Sequence, residues 1–513
     1  MIFNYHLNKK LPKLAWGTVI LKGSNEINVY HGTGIETKKT FFVEGAWNDN
    51  FISANFDKST LFMGSGARST ENGVGILFAT SNHTLERLYT IKDQDIIYVS
   101  NSLPFILFMS NNKLKANYLD YESDFNTILK GISHYKNWIV LENNKKVKLH
   151  YYCNFYIENS FTIVEKPKVK SKPFNSYEDY YSSLIKDLKL FVSNAQSKYR
   201  NNKYGLVTTI SKGYDAAACA AVAVDLGCDT AVSFNRPEKY SKDCGDLIAN
   251  NLGYKKIITK NANEYLDNNK YIEAEFVSSG ELGTGIIFTA FEGEFKNKIV
   301  FMGERGDKIW DKNRIDRNSY FSFNNEVFSG TSLIENRLRV GYIVMPMPLY
   351  RAENWPSIHK ISNSKEMENY SIGGNYDRPI PRRIVESKGI DRDDFGIEKK
   401  GVGFNYRFDN LYRLKKRMSK KSYISFLEFY KSQKRNVLYR LKLWFFYLWN
   451  TKAIYINYIM KKIRIPYKYR PLSADACSNP GAPSYLIHWG NNIMIKRYKG
   501  SNIDRWWIAE EGD

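Results

Sequence analysis

Two short stretches carry residue types suited to handling a phosphate ester. The first is Ser211-Lys212-Gly213-Tyr214-Asp215, which lies between the apolar run Tyr204 to Ile210 and the alanine-rich run Asp215 to Leu226. A loop between a strand end and a helix start aims several unpaired backbone N–H groups and the helix dipole at one point, which makes an anion site. Gly213 permits close backbone approach or a positive φ. A carboxylate at Asp215 would repel the anion unless Mg²⁺ bridged carboxylate and phosphate oxygens. The competing interpretation is an ordinary strand-to-helix turn capped by Asp. The second stretch is Gly303-Glu304-Arg305-Gly306-Asp307-Lys308, a charged glycine turn that follows the apolar run Lys298 to Met302. No G-x-x-x-x-G-K-[ST] sequence is present, so a Walker-type ATP site is not on offer.

The elements that must position these loops divide the 513 residues into three regions. Residues 1–165 alternate in short apolar runs separated by Gly, Asn and Asp clusters, which predicts a β-rich sandwich of antiparallel sheets. A charged stretch with two prolines, Val164 to Pro173, predicts a linker. Residues 174–405 alternate between helix and strand: an amphipathic helix over Tyr177 to Tyr199, then strands over Tyr204 to Ile210, Thr230 to Phe234 and Lys298 to Met302. That order predicts an α/β domain with a parallel sheet and ligands at the carboxyl ends of its strands. Residues 406–513 mix basic and aromatic positions and predict helix as far as Ile465, where Pro466 stops it.

The first loop resembles the S-G-G-x-D-S motif of the ATP pyrophosphatase (PP-loop) superfamily, which cleaves ATP to AMP and pyrophosphate. Ser211, Gly213 and Asp215 match; Lys212 and Ala216 depart from it. The second stretch is similar to the S-G-E-G-x-D-E segment of asparagine synthetases, with Lys308 in place of the last acid. The resemblance implies an adenine nucleotide alpha-hydrolase-like fold and an AMP-forming amide ligase using ATP and Mg²⁺. A substrate carboxylate would be adenylated and then opened by ammonia or an amine. The resemblance assigns ATP and pyrophosphate to Ser211, Lys212, Gly213, Tyr214, Asp215 and Ser233, magnesium to Asp215 and Asp307, and the amine proton to Glu304. It assigns charge stabilisation to Lys399 or Lys400, between which the sequence does not choose. It places the acyl substrate near Gly280, Glu281, Gly283 and Thr284, where a ligand-free glycine turn is the alternative. The run Tyr376 to Arg383 is similar to a stretch in bacterial asparagine-synthase-related proteins, with no chemistry attached. The amino-terminal region is similar to a degenerate glutaminase-like (Ntn) domain: Ile2 stands where the family's nucleophilic cysteine would follow Met1, which implies no glutaminase activity of its own.

Five cysteines without a C-x-x-C pair argue against a structural zinc site of that kind and for reduced thiols in a cytoplasmic protein. The start of the chain has no apolar core of a signal peptide, and no apolar run is long enough to span a bilayer. The net charge of +22 is local: residues 411–470 hold 17 Lys or Arg against the single acid Glu428. Three roles fit that segment: packing on the synthetase domain with solvated lysines, contact with an anionic membrane surface, or nucleic-acid binding. The last keeps a nucleobase- or RNA-modifying PP-loop enzyme among the alternatives. The departures from the motifs keep a catalytically inactive binding protein among them too.

Overall fold

A computed structural model describes residues 1–70, 75–158, 160–235, 244–283, 285–314, 333–374, 376–396, 405–433 and 482–508, with a discontinuous set between 437 and 460. It is α/β with mixed and parallel sheets. The first 167 residues form two stacked sheets. One runs in the order Ile2–Leu7, Glu26–His31, Trp16–Leu21, Ile96–Ser100, Leu88–Asp93, Lys146–His150, Trp138–Val140. The other runs Ile163–Pro167, Cys153–Ile157, Ile76–Ala79, Phe62–Ser69, Phe41–Trp47, Glu36–Lys38. Alternation puts Trp16, Ile20 and Val99 of the first against Phe42, Phe78 and Phe155 of the second.

Two expectations for this region are corrected. Ile2–Leu7 pairs parallel with Glu26–His31, so the first sheet is mixed and not purely antiparallel. Apolar alternation fixes which face is buried but not the direction of the neighbour. The stretch predicted as a linker begins as an edge strand, Ile163–Pro167, whose residues pair with Cys153–Ile157. Its charges and proline suit an edge, where one side of the strand has no ladder partner.

The second region holds a five-stranded parallel sheet in the order Lys256–Asn261, Thr230–Asn235, Gly205–Thr209, Lys298–Met302, Ile343–Pro346. Its strands are largely buried on both faces, as parallel strands covered by helices must be, except the edge strand Lys256–Asn261, which is half-buried to exposed. Leu206, Ala231 and Ile299 face the helices Tyr177–Ala195 and Tyr214–Asp225. Val207, Val232 and Val300 face Phe276, Phe291 and Phe295. The chain lays down Gly205–Thr209 first and builds outward on one side. It then crosses to Lys298–Met302 on the other. The carboxyl ends of those two strands therefore flank the point where strand order reverses, where open α/β sheets leave a crevice.

The two regions are joined by a buried ion cluster. Arg337, on the helix Ile334–Val340, donates to Glu44 at 2.7 and 2.9 Å, on the strand Phe41–Trp47, and to Glu86 at 3.1 Å, in the loop before Leu88–Asp93. The carboxyl-terminal helix Leu486–Lys499 packs between Ile272–Ser278 and Leu103–Met109, with the Tyr498 ring stacked 4.7 Å from that of Phe105. The end of the chain is thus part of the shared core, which charge alone did not indicate.

That core contains a carboxyl group with a testable pH signature. Glu335 is buried and accepts from Tyr498 at 3.2 Å. Burial raises its pKa to about 8, Ser102 and Tyr498 pull it back, nearby Glu275 adds to the rise, and Arg497 opposes it. The fold therefore keeps the proton that the unfolded chain releases near pH 4, so this group's contribution is full below that pH and is lost as pH rises toward 8. Glu335→Gln should gain on the wild type over that window, by a few kcal/mol at pH 8. Denaturation midpoints of both proteins at pH 5 and pH 8 check this; a constant difference refutes it.

Candidate functional site

The loop after Gly205–Thr209 and the loop after Lys298–Met302 come together at the reversal point. The helix Tyr214–Asp225 starts from Gly213, which caps it with φ −75° and ψ 147°. The positive φ allowed for at Gly213 is not used. Instead its amide donates to Ser211 Oγ at 3.2 Å, so the serine closes the loop on itself. Asp215 stands in the first turn of that helix, where a carboxylate complements the dipole.

Close approach is needed at two other glycines. A Cβ on Gly306 would lie 2.1 Å from the carboxylate carbon and Oδ1 of Asp215, and one on Gly303 would lie 2.6 Å from the Asp215 carbonyl carbon. The second loop is therefore pressed against Asp215, and its glycines make room for that carboxylate. Gly306→Ala should displace Asp215 at a cost of about 1–3 kcal/mol. A melting curve of the variant beside the wild type checks this cost.

A third segment completes the cluster. Arg378 donates to Asp215, and its side chain is only 4% exposed. Its pKa is raised despite burial, because Asp215, Tyr376 and Asp307 all act on it. Asp215 is its bonded partner, and Asp307 adds only the effect of its charge. Tyr376 sits on the same spot: burial pushes its hydroxyl up to about 12, and Arg378 and the Tyr214 amide pull it back. Asp377 holds this segment in place by accepting from the amides of Ile372 and Gly373 at 3.2 and 3.1 Å.

The other expected site residues have mixed placements. Tyr214 is fully buried; its ring lies against Gly396, and Arg382 donates to its hydroxyl at 2.5 Å. Its side chain therefore anchors the loop from below. The carbonyl of Lys212 accepts from Gly396 at 2.7 Å. Ser233 is buried and accepts from the Gly245 amide at 3.1 Å, which ties the second strand end to the chain facing Ser211. Glu304 is part-exposed, 3.3 Å from Arg305 Nε. Arg305 itself has φ +70°, a conformation costly for a residue with a Cβ and often found at functional loops.

The stretch expected to shape an acyl pocket has structural contacts. Glu281 is buried and accepts from the amides of Leu333 and Ile334 at 3.2 and 3.4 Å, capping the helix that carries Arg337. Gly280 packs on the Phe125 ring and Gly283 on the Tyr406 ring. Thr284, Lys399 and Lys400 lie outside the described residues.

The arrangement suits an anion that brings a cation. Asp215 lies against Gly306, the neighbour of Asp307 in the chain, and Mg²⁺ is commonly held by one or two carboxylates with phosphate oxygens and water supplying the rest. Among the described residues no third acid, histidine or cysteine joins them in a closed cage. Among the described residues the one group of three close metal-type ligands is His150, Cys153 and Glu165, which belongs to the stacked sheets. The donor set at Asp215 and Asp307 fits a phosphate-bound magnesium ion, with Arg378 as a second cation beside it.

Arg378 and Tyr376 were legible as a charged, proline-containing run but not as site residues. The available signal was indirect: an arginine destined for burial needs an acid, and the two glycine loops offered Asp215, Glu304 and Asp307 without choosing among them. Compared with known proteins, the chain matches no protein-family model and no curated protein.

Proposed function

We propose that the crevice at Ser211–Asp215 and Gly303–Asp307 binds ATP, and that the chain is an AMP-forming amide ligase acting on a carboxylate substrate. The observation that carries this reading is the packing of Asp215 against Gly303 and Gly306 at the reversal point of the parallel sheet. Two loops from distant sequence positions converge where such sheets bind ligands, and each carries a carboxylate.

The chain's own groups divide the work. The loop amides, Lys212 and Arg378 attract the triphosphate. Magnesium, when bound, neutralises phosphate charge, and Asp215 and Asp307 are the residues to hold it. An oxygen of the substrate carboxylate bonds to the α-phosphorus, the bond from that phosphorus to the bridging oxygen breaks, and pyrophosphate leaves. Ammonia or an amine then bonds to the acyl carbon, the carbon–oxygen bond to AMP breaks, and Glu304 accepts the amine's proton. Adenylation supplies the leaving group that a free carboxylate lacks.

Exchange of labelled pyrophosphate into ATP, screened over carboxylic acids, tests this. Acid-dependent exchange is expected. No exchange with any acid, together with no calorimetric ATP binding, sinks the reading. The Arg378–Asp215 pair favours one second reading, a nucleotide-binding protein without turnover. That protein would bind ATP equally with and without magnesium and show no exchange.

A further inference from the structure

A separate set of side chains converges in the stacked sheets. His150 ends the strand Lys146–His150 of the first sheet, and Cys153 opens the strand Cys153–Ile157 of the second. The chain turns between them at Tyr152, whose φ is +46°. Glu165 comes from the edge strand Ile163–Pro167, where it stands opposite Phe155. The His150 ring is stacked on that same Phe155 at 4.2 Å, which carries it onto the second sheet. One imidazole nitrogen, one thiol sulfur and one carboxylate oxygen thus lie within 4.8 Å of one another. In a tetrahedral zinc site, with bonds of about 2.0–2.3 Å, donor atoms are roughly 3.5 Å apart. Cys153 is half-buried and Glu165 exposed, so small rotations of these two side chains bring the set to that spacing.

The setting of His150 points to a cation and not only to an ion pair. Its side chain is 0% exposed, and Nδ1 lies 2.7 Å from Glu165 Oε1 without the alignment of a hydrogen bond. The other ring nitrogen, Nε2, is 2.9 Å from Thr90 Oγ1. A proton on Nε2 donates to Thr90 and leaves the Nδ1 lone pair facing the other donors, the outer contact that orients a metal-binding histidine. Two lysines are the competing cations. Lys148 reaches Glu165 at 3.0 Å, but its side chain is 35% exposed and free to turn to solvent. Lys168 acts on Cys153 through its charge alone, with its ammonium bonded to the Thr80 carbonyl. The donor types select the ion. Thiolate and imidazole favour zinc and similar cations, whereas magnesium and calcium take oxygen donors. Three protein donors leave the remaining coordination to water or a small ligand.

We propose that His150, Cys153 and Glu165 form a zinc-type metal site that ties the two stacked sheets together. Cys153 binds as the thiolate, and its proton passes to solvent. The inference is independent of the nucleotide reading and stands or falls without it. The test is titration of the reduced, metal-free full chain with Co²⁺ and then with Zn²⁺. Co²⁺ should give the near-ultraviolet charge-transfer absorption of a thiolate ligand. Zn²⁺ should abolish that absorption by displacement and raise the melting temperature. Cys153→Ser and His150→Gln should lose both responses, while Cys244→Ser, at another half-buried cysteine, should keep them. Thr90→Val removes only the outer contact and should weaken zinc binding by about 10- to 100-fold. If His150→Gln does not fold, Glu165→Gln, at an exposed position, takes its place. Stoichiometric Co²⁺ without charge-transfer absorption overturns the proposal. So does absorption that persists in Cys153→Ser, which would assign the metal to another cysteine. Absorption lost in Cys153→Ser but unchanged in Glu165→Gln and Thr90→Val would mark a lone thiol and overturn it as well.

Discussion

Arg337→Met is expected to cost about 3–5 kcal/mol of stability, the largest effect of any single side chain considered. The arginine is 3% exposed and its partners are equally shielded, Glu44 at 0% and Glu86 at 8%. Removing the guanidinium leaves two carboxylates in the same buried pocket, with Ser65 donating to Glu44 at 2.7 Å as partial relief. Their mutual repulsion and lost solvation are what the variant must bear. The loss is localised at the junction of the stacked sheets and the parallel-sheet domain, so the two should also melt less cooperatively. Denaturant unfolding followed by near-ultraviolet and far-ultraviolet circular dichroism measures both. The combined variant Glu44→Gln/Glu86→Gln/Arg337→Met should recover much of the loss, because it leaves no unpaired charge behind. An unchanged midpoint in the single variant would show that the cluster does not hold the domains together.

Asp215→Ala is expected to lower ATP-dependent exchange by roughly 10²- to 10³-fold, the scale seen when one electrostatic group is removed from a reaction centre. A second consequence separates this residue from an ordinary helix cap. Arg378 loses its ion-pair partner while remaining buried, which should destabilise the fold by about 1–3 kcal/mol. Asp215→Asn keeps a hydrogen-bond acceptor for Arg378 but not the charge. It should recover most of the stability and little of the exchange. Melting temperature and exchange rate, measured on the same three proteins, report the two roles independently. If Asp215→Asn retained wild-type exchange, the carboxylate would have no part in the chemistry.

The helix and strand positions around the first loop were legible because their signals are local. The strand Lys298–Met302 lies where its apolar run placed it, and the helix Tyr214–Asp225 differs by one residue at each end. The helix Tyr177–Ala195 is shorter than the run to Tyr199, because a polar turn at Gln196 to Arg200 ends the apolar spacing. Periodicity of 2 and 3.6 residues survives any tertiary context in which one face is buried. Direction and edge position do not leave such a mark, hence the parallel first strand and the linker that begins as a strand. Composition placed the basic segment as one unit. Only the tertiary structure shows Phe426 and Tyr430 packed against Trp489 and Tyr485, some sixty residues later.

By itself the sequence determined the two loops and the carboxylates they carry, because a glycine turn between an apolar strand and a helix is written in neighbouring residues. Only the tertiary structure decided that Asp215 lies against Gly303 and Gly306 and that Arg378 closes on it. Those contacts join positions about ninety and more than one hundred and sixty residues apart. They follow from the order in which the parallel strands are laid down, which no local pattern encodes. The same holds for Glu281, whose bonds to the Leu333 and Ile334 amides join it to a helix some fifty residues later.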